Sequence, residues 1–241
     1  MSDDFLKQKE DLNEATGMPV MKEEEIEKAK GPKGKVFLVF FPLIFVGVGT
    51  GIAFIIYKKG DTEKYDERIT LVNSFDLQWG YLSAFLFSYL VAILNLYPMG
   101  YKNRIMRNSS GNLRANMFIY KSAAENSSES RVVLATEGDE GHYNRANRSL
   151  YHFAENSIQL ALTIGLSSFV FPFPTFILTA ILFVGRLIYT VGYTTGGYGG
   201  HVPGFILVMI AVNTLYGMLL ITVFKGMNGA VNVSDTPQTE G

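Results

Sequence analysis

The stretch RANRSLYHFAENSIQ (145–159) decides the fold, because it carries polar side chains into an apolar run. The spacing of these side chains places them on one face of a helix: Arg148, His152, Glu155 and Gln159. The residues that follow, LALTIGLSSFVF (160–171), have the composition of a membrane span. Polar side chains that enter a bilayer are costly, so they normally face protein, water or a ligand.

Apolar blocks on both sides of this stretch favour an all-α integral membrane protein. Hydrophobic residues make up 48% of the 241-residue chain and come in blocks of about twenty, the length that spans a bilayer. The chain has no cysteine, which excludes disulfides and a cysteine nucleophile, so any reacting thiol must come from a substrate. A net charge of −1 without a basic aromatic patch indicates no nucleic-acid partner.

The blocks also divide the chain. We predict a polar N-terminal tail at 1–35, an extra transmembrane helix at 36–57, a connector at 58–76, a four-helix membrane domain at 77–224 and a disordered C-terminal tail at 225–241. The four spans of the domain are predicted at 77–101, 145–171, 174–193 and 203–224, with FPFP (171–174) as a break between two of them. Four lysines without intervening acids precede the first span and favour a cytoplasmic N-terminus: Lys28, Lys30, Lys33 and Lys35. Within the extra helix, Gly47, Gly49 and Gly51 predict close packing against another helix.

A second polar face lies on the span at 174–193, where Arg186, Tyr189 and Tyr193 share one side of the helix. An unpaired arginine inside an apolar helix costs at least about 2.5 to 3.5 kcal/mol, so Arg186 should meet an acid or an anionic ligand. Two interpretations remain open. Arg148 and Glu155 could simply neutralise each other and the tyrosines could form an interfacial belt, or both faces could bind a small zwitterion with more than one carboxylate.

Three motifs are similar to those of the MAPEG family, membrane-associated proteins in eicosanoid and glutathione metabolism. They are NRANRSLYHFAEN (144–156), GRLIYTVGYTTG (185–196) and HVPG (201–204), and the resemblance covers 77–224. It implies a MAPEG-like four-helix bundle assembled as a homotrimer in the lipid bilayer. It also implies glutathione as co-substrate, held between neighbouring subunits near the cytosolic face.

The resemblance also implies roles for single residues. Arg148 matches the arginine that holds a glutathione carboxylate, and Glu155 matches the motif glutamate. His152 stands where the family has asparagine and joins these two in the predicted glutathione site, together with Arg186, Tyr189 and Tyr193. The family's thiolate-activating cation would fall at Gly200. The predicted catalytic pair is therefore the neighbouring His201 together with Tyr193. No metal site is expected, because His152 has no partner at metal-ligand spacing.

The favoured function is a glutathione-dependent transferase or peroxidase that acts on lipophilic electrophiles or lipid hydroperoxides. The alternative is a non-catalytic, lipid-binding or scaffold subunit of a larger membrane complex, joined through the helix at 36–57. The missing arginine in TTGGYGGHVPG (194–204) and the extra helix motivate this alternative. The endoplasmic reticulum or another endomembrane is the expected location, with a mitochondrial membrane as the second choice.

Overall fold

The computed structural model describes residues 32–106, 117–122 and 132–234. Most of the predicted tail at 1–35 and the end of the predicted tail at 225–241 therefore lie outside the described residues. The described chain is almost wholly helical and contains one two-stranded antiparallel hairpin. The elements are α1 (Pro32–Lys59), α2 (Thr62–Ser74), α3 (Gln78–Met106), β1 (Tyr120–Ser122), β2 (Val132–Leu134), α4 (Gly138–Val170), α5 (Pro172–Gly196) and α6 (Val202–Ser234).

Four helical segments have the length and apolar composition needed to cross a membrane: Phe40–Lys59, Gln78–Lys102, Pro172–Gly196 and Val202–Met227. They correspond to four of the five predicted spans. The remaining one, at 145–171, is helical as part of α4, but it is not among these four segments. Glu155 and Gln159 interrupt the apolar run in α4, so its role as a span stays a prediction.

The break predicted at FPFP is confirmed, with α4 ending at Val170 and α5 beginning at Pro172. The start of α5 was predicted at Pro174, and that position is wrong. Both prolines fit inside the first turn of α5, because the first N–H groups of a helix have no intrahelical acceptor and a missing one is tolerated there.

Other boundaries also differ from the prediction, since α4 begins at Gly138 rather than at 145. The connector at 58–76 contains α2, whose N-terminus is capped by Asp61 through a 3.3 Å hydrogen bond from the backbone N–H of Lys64. At the other end, α6 continues beyond the predicted limit of 224 to Ser234. No proline stands between 204 and 236 to stop that helix, so its polar end simply extends the apolar span.

The extra helix α1 has little contact with the rest of the described chain. Only 6% of its apolar window is buried, and Ile44 and Phe45 are both 61% exposed. An added Cβ at Gly47, Gly49 or Gly51 would meet no atom of the described residues within 4 Å. The prediction of close packing through these glycines is therefore wrong for contacts within this chain, because no other described element approaches α1 there.

The chain forms two compact units, and the first includes Tyr89–Glu155 and Tyr189–Val202. Its core is a cluster of buried side chains from the end of α3, the hairpin and the start of α4: Tyr101, Ile105, Ile119, Ala135, Tyr143 and Ala146. Tyr143 is fully buried. Burial raises the pKa of its phenol above the ordinary 10.0, while hydrogen bonds with the Asn147 side chain and the Met117 backbone act in the opposite direction.

Two asparagines of α4 fix the hairpin segment to that helix. The carboxamide of Asn144 accepts a 2.8 Å hydrogen bond from the N–H of Ile119 and donates to the carbonyl oxygens of Ile119 and Ala135, also at 2.8 Å. One turn later, Asn147 Nδ2 donates to the Met117 carbonyl oxygen at 2.9 Å. Buried amide groups that pair with the backbone specify where a segment docks, because breaking these pairs is expensive.

The second unit includes Ile55–Ser88, Asn156–Ile188 and Pro203–Gly241. Trp79 of α3 packs edge-on against Phe173 of α5 at 4.9 Å between ring centroids. Gly185 of α5 lets α6 approach closely, since an added Cβ would lie 2.8 Å from the Leu207 Cβ. A glycine permits such a contact because it has no side chain to hold the two helix backbones apart.

Candidate functional site

The candidate site is an aromatic cluster in the first unit, built around His201. Tyr189 and Tyr193 lie one turn apart near the end of α5, with ring centroids 6.2 Å from each other. The His201 ring meets both edge-on, at 5.0 Å from Tyr189 and 5.8 Å from Tyr193. Tyr198 contacts the same imidazole at 5.4 Å. The structure thus brings together the two residues of the predicted catalytic pair.

A tight turn between α5 and α6 places His201 against the tyrosines. Gly197 has a φ of +68°, a left-handed conformation that side chains other than glycine rarely adopt. Further along the turn, the backbone of Gly200 packs directly against the backbone of Gly192, and a Cβ on either residue would collide with the other's carbonyl oxygen. The contact between these glycines therefore determines where along α5 the His201 ring lies.

His152 joins the cluster from α4. Its ring stacks on Tyr189 with centroids 5.8 Å apart and planes inclined by 12°. Three residues earlier on α4, the buried hydroxyl of Ser149 donates to the hydroxyl of Thr190 on α5 at 2.9 Å. These contacts hold the two helices together at the cluster, so four of the predicted site residues are neighbours: His152, Tyr189, Tyr193 and His201.

Arg148 and Glu155 interact with each other. Their side chains approach to 3.4 Å, and both remain more than half exposed, at 53% and 57%. This is the mutual neutralisation that the sequence left open as one interpretation. Gln159, the last residue of the predicted polar face, belongs to the second unit and donates to the Tyr216 hydroxyl there.

Arg186 also lies in the second unit, where it is 3% exposed. It precedes Tyr189 by one turn of α5, so the predicted order of arginine and tyrosines along that helix holds. Its predicted participation with Arg148 in a glutathione site stays a prediction.

Arg145 is a residue of this region that the sequence reasoning missed. Its Nε donates to the carbonyl oxygen of Thr194 at 2.9 Å, and its Nη1 donates to that of Thr136 at 2.7 Å. It therefore links α4 to the end of α5 beside Tyr193. The available signal was its position three residues before Arg148, which puts both guanidiniums within one turn on neighbouring parts of the helix surface.

The family comparison matches the same part of the chain. The sequence model of the MAPEG family matches residues 78–224, more than half of the protein. The chain belongs to the MAPEG family. Comparison with curated proteins and with solved structures gives no match.

MAPEG membership confirms the predicted family and, with the four long apolar helices, an all-α integral membrane protein. The match begins in α3 and leaves α1 and α2 outside the family region. It also contains the whole His201 cluster. In this MAPEG protein the site thus offers tyrosine hydroxyls, which can donate and accept hydrogen bonds, and imidazole rings beside them.

Proposed function

We propose that the protein is a glutathione-dependent membrane transferase or peroxidase that acts on lipophilic electrophiles or lipid hydroperoxides. The observation that carries the proposal is the placement of His201 at the edges of the Tyr189 and Tyr193 rings. Family membership supports glutathione-related chemistry in general. We further propose a homotrimer in an endomembrane, with glutathione held between subunits near the cytosolic face.

The Arg148–Glu155 pair suits a zwitterionic ligand. An exposed ion pair is worth at most about 1 kcal/mol, so little is lost when it opens. A ligand that carries both an ammonium and a carboxylate can replace each partner with a better one, since Arg148 would receive the carboxylate and Glu155 the ammonium. Glutathione carries both groups and has a second carboxylate, for which the buried Arg186 is the proposed partner.

The chemistry requires the thiol to lose its proton. His201 would accept that proton, and the Tyr193 hydroxyl would donate a hydrogen bond to the resulting thiolate. In the transferase reaction the sulfur forms a bond to the electrophilic carbon, and the displaced or ring-opened group takes up a proton. With a hydroperoxide, two glutathione thiols are oxidised to a disulfide while the O–O bond is reduced to an alcohol and water.

Glutathione binding to the full chain in lipid nanodiscs tests the proposal, measured by equilibrium dialysis with labelled glutathione. Arg148→Gln should weaken binding about tenfold or more, because a charge-assisted hydrogen bond contributes about 1.5 to 3 kcal/mol. The matched control is Arg68→Gln, at an exposed arginine of α2. His201→Asn should leave binding intact and abolish the thiolate absorbance of bound glutathione. The proposal is wrong if glutathione does not bind, or if both arginine variants change the binding affinity equally.

The exposure of α1 favours the scaffold subunit as the second candidate. Only 6% of the Phe40–Lys59 window is buried within the chain, so a partner in the membrane has an exposed helix face to bind. Mild-detergent purification of the full chain from its native membrane tests this candidate. A stoichiometric partner that is lost on deletion of residues 1–60, without turnover of a generic electrophile, would favour it. An active assembly of this chain alone would exclude it.

A further inference from the structure

A cavity of about 370 Å³ lies in the first unit, between the hairpin and the first turns of α4. Its volume falls within the range of small-molecule sites. Asn144 lines it and also makes three hydrogen bonds to Ile119 and Ala135, which flank the two hairpin strands, so the hairpin wall has a fixed position. Tyr193, at the end of α5, belongs both to this lining and to the aromatic cluster.

The charge of the cavity is positive. Arg145 and Arg148 both line it, and its described lining includes no aspartate or glutamate. Arg145 is fixed by the carbonyl oxygens of Thr194 and Thr136, which are neutral acceptors and leave its charge in place. Arg148 shares its charge with Glu155, which lies outside the lining. The cavity therefore favours an anion.

Much of the remaining wall is apolar. Phe118, Tyr120 and Leu134 line it from the hairpin and its flank. The Phe118 ring is held by stacking on Tyr151 of α4, with centroids 5.5 Å apart and planes inclined by 20°. Aromatic walls favour flat rings, whereas a peptide-like ligand would leave this apolar surface without a matching partner.

From this combination we infer that the cavity binds a small organic anion with a flat apolar body, of the aromatic carboxylate class. The carboxylate lies at Arg145 and Arg148, and the ring lies against Phe118 and Leu134. Such a ligand differs from glutathione in lacking an ammonium group and in being mostly apolar. Because Arg148 is also the proposed partner of a glutathione carboxylate, the two ligands share this guanidinium and exclude each other there, whereas Phe118 and Leu134 contact only the ring of the aromatic ligand.

The test measures binding of 2-naphthoate to the full chain in nanodiscs of uncharged lipid, by calorimetry with empty nanodiscs subtracted. Neutral 2-naphthamide is the matched ligand without charge, and it should bind at least about tenfold more weakly. Leu134→Ala should weaken naphthoate binding about fivefold, since it removes methyl groups from the wall. Val133→Ala is the matched protein control, because Val133 is as exposed as Leu134 (38% against 40%) but points to the opposite face of β2.

Three results would overturn the inference: no binding of naphthoate, equal binding of the amide, or equal effects of the two hairpin variants. Glutathione binding of the Leu134→Ala protein separates this site from the glutathione site. It should be unchanged, and a parallel loss of both ligands would mean that the cavity is the glutathione pocket itself. Because β2 is short and exposed, neither alanine variant threatens the fold, and unchanged thermal midpoints verify this.

Discussion

Replacing Asn144 by alanine should release the hairpin from α4 while the helices stay folded. Asn144 is 2% exposed and contacts backbone groups of Ile119 and Ala135, one on each side of the hairpin. Alanine keeps the helix propensity high but removes every one of these hydrogen bonds. The hairpin has few other anchors of this kind, so the effect should be local.

The expected size follows from the bonds lost. Three hydrogen bonds at about 1 kcal/mol each give about 3 kcal/mol. The Ile119 carbonyl oxygen retains a donor in the N–H of Ala135 at 3.0 Å, whereas the Ile119 N–H loses the carboxamide acceptor. A change of this size shifts the local opening equilibrium on the order of a hundredfold.

Amide hydrogen exchange measures this opening directly. In the Asn144→Ala protein, the amides of Ile119 and Ala135 should exchange on the order of a hundredfold faster, and amides in the middle of α5 should be unaffected. Asn213→Ala is the matched control, because Asn213 is exposed and bonds only to the carbonyl oxygen of Met209 in its own helix. Unchanged protection at Ile119, or an equal loss of protection in α5, would refute the reasoning.

Three further outcomes are expected. Gly192→Ala should destabilise the protein by about 1 to 3 kcal/mol, because its Cβ would collide with the Gly200 carbonyl. In the control Gly196→Ala, the added Cβ meets no atom within 4 Å, so this variant should be as stable as the original protein or more stable. Thermal unfolding followed by near-ultraviolet circular dichroism measures both. Glu155→Gln should change unfolding free energy by less than about 1 kcal/mol, since the ion pair is exposed, and a larger loss in denaturant titration would contradict that assignment. The pKa of Tyr143 in the folded protein lies above the unfolded value of 10.0. The folded state is therefore fully stable with respect to this group below pH 10, and it loses stability as the pH rises through the folded pKa. Tyr143→Phe removes the ionisable group and should therefore show a flatter decline of stability above pH 10; an unchanged slope there would contradict it.

The sequence predicts the helices of this protein well, because a run of about twenty apolar residues leaves few alternatives. The FPFP break is equally readable, since proline cannot donate to a preceding turn. The grouping of Tyr189 and Tyr193 follows from helical spacing alone. Sequence spacing does not predict that His201 contacts these two rings, because its position depends on the contact between Gly192 and Gly200.

The hairpin and its docking are the parts that the sequence did not reveal. Strands of three residues carry too little alternation to be recognised, and Asn144 and Asn147 lie in a polar stretch where hydrogen bonding across the chain leaves no periodic signal. The same limit applies to Arg145, whose acceptors are backbone carbonyls far away in sequence. The pairing of Arg148 with Glu155 was foreseen only as one of two alternatives, because a helix permits the contact without requiring it.

The start of α4 alternates two kinds of side chain. Asn144 and Asn147 form hydrogen bonds with the hairpin segment, while Arg145 and Arg148 supply the positive charge of the cavity next to it. Because both pairs stand on the same rigid turns, the hairpin cannot shift without changing the space in front of the guanidiniums. A displacement of the hairpin should therefore change the shape of the cavity. A covalent label or a protein bound to the hairpin would in this way alter which molecules the cavity can bind.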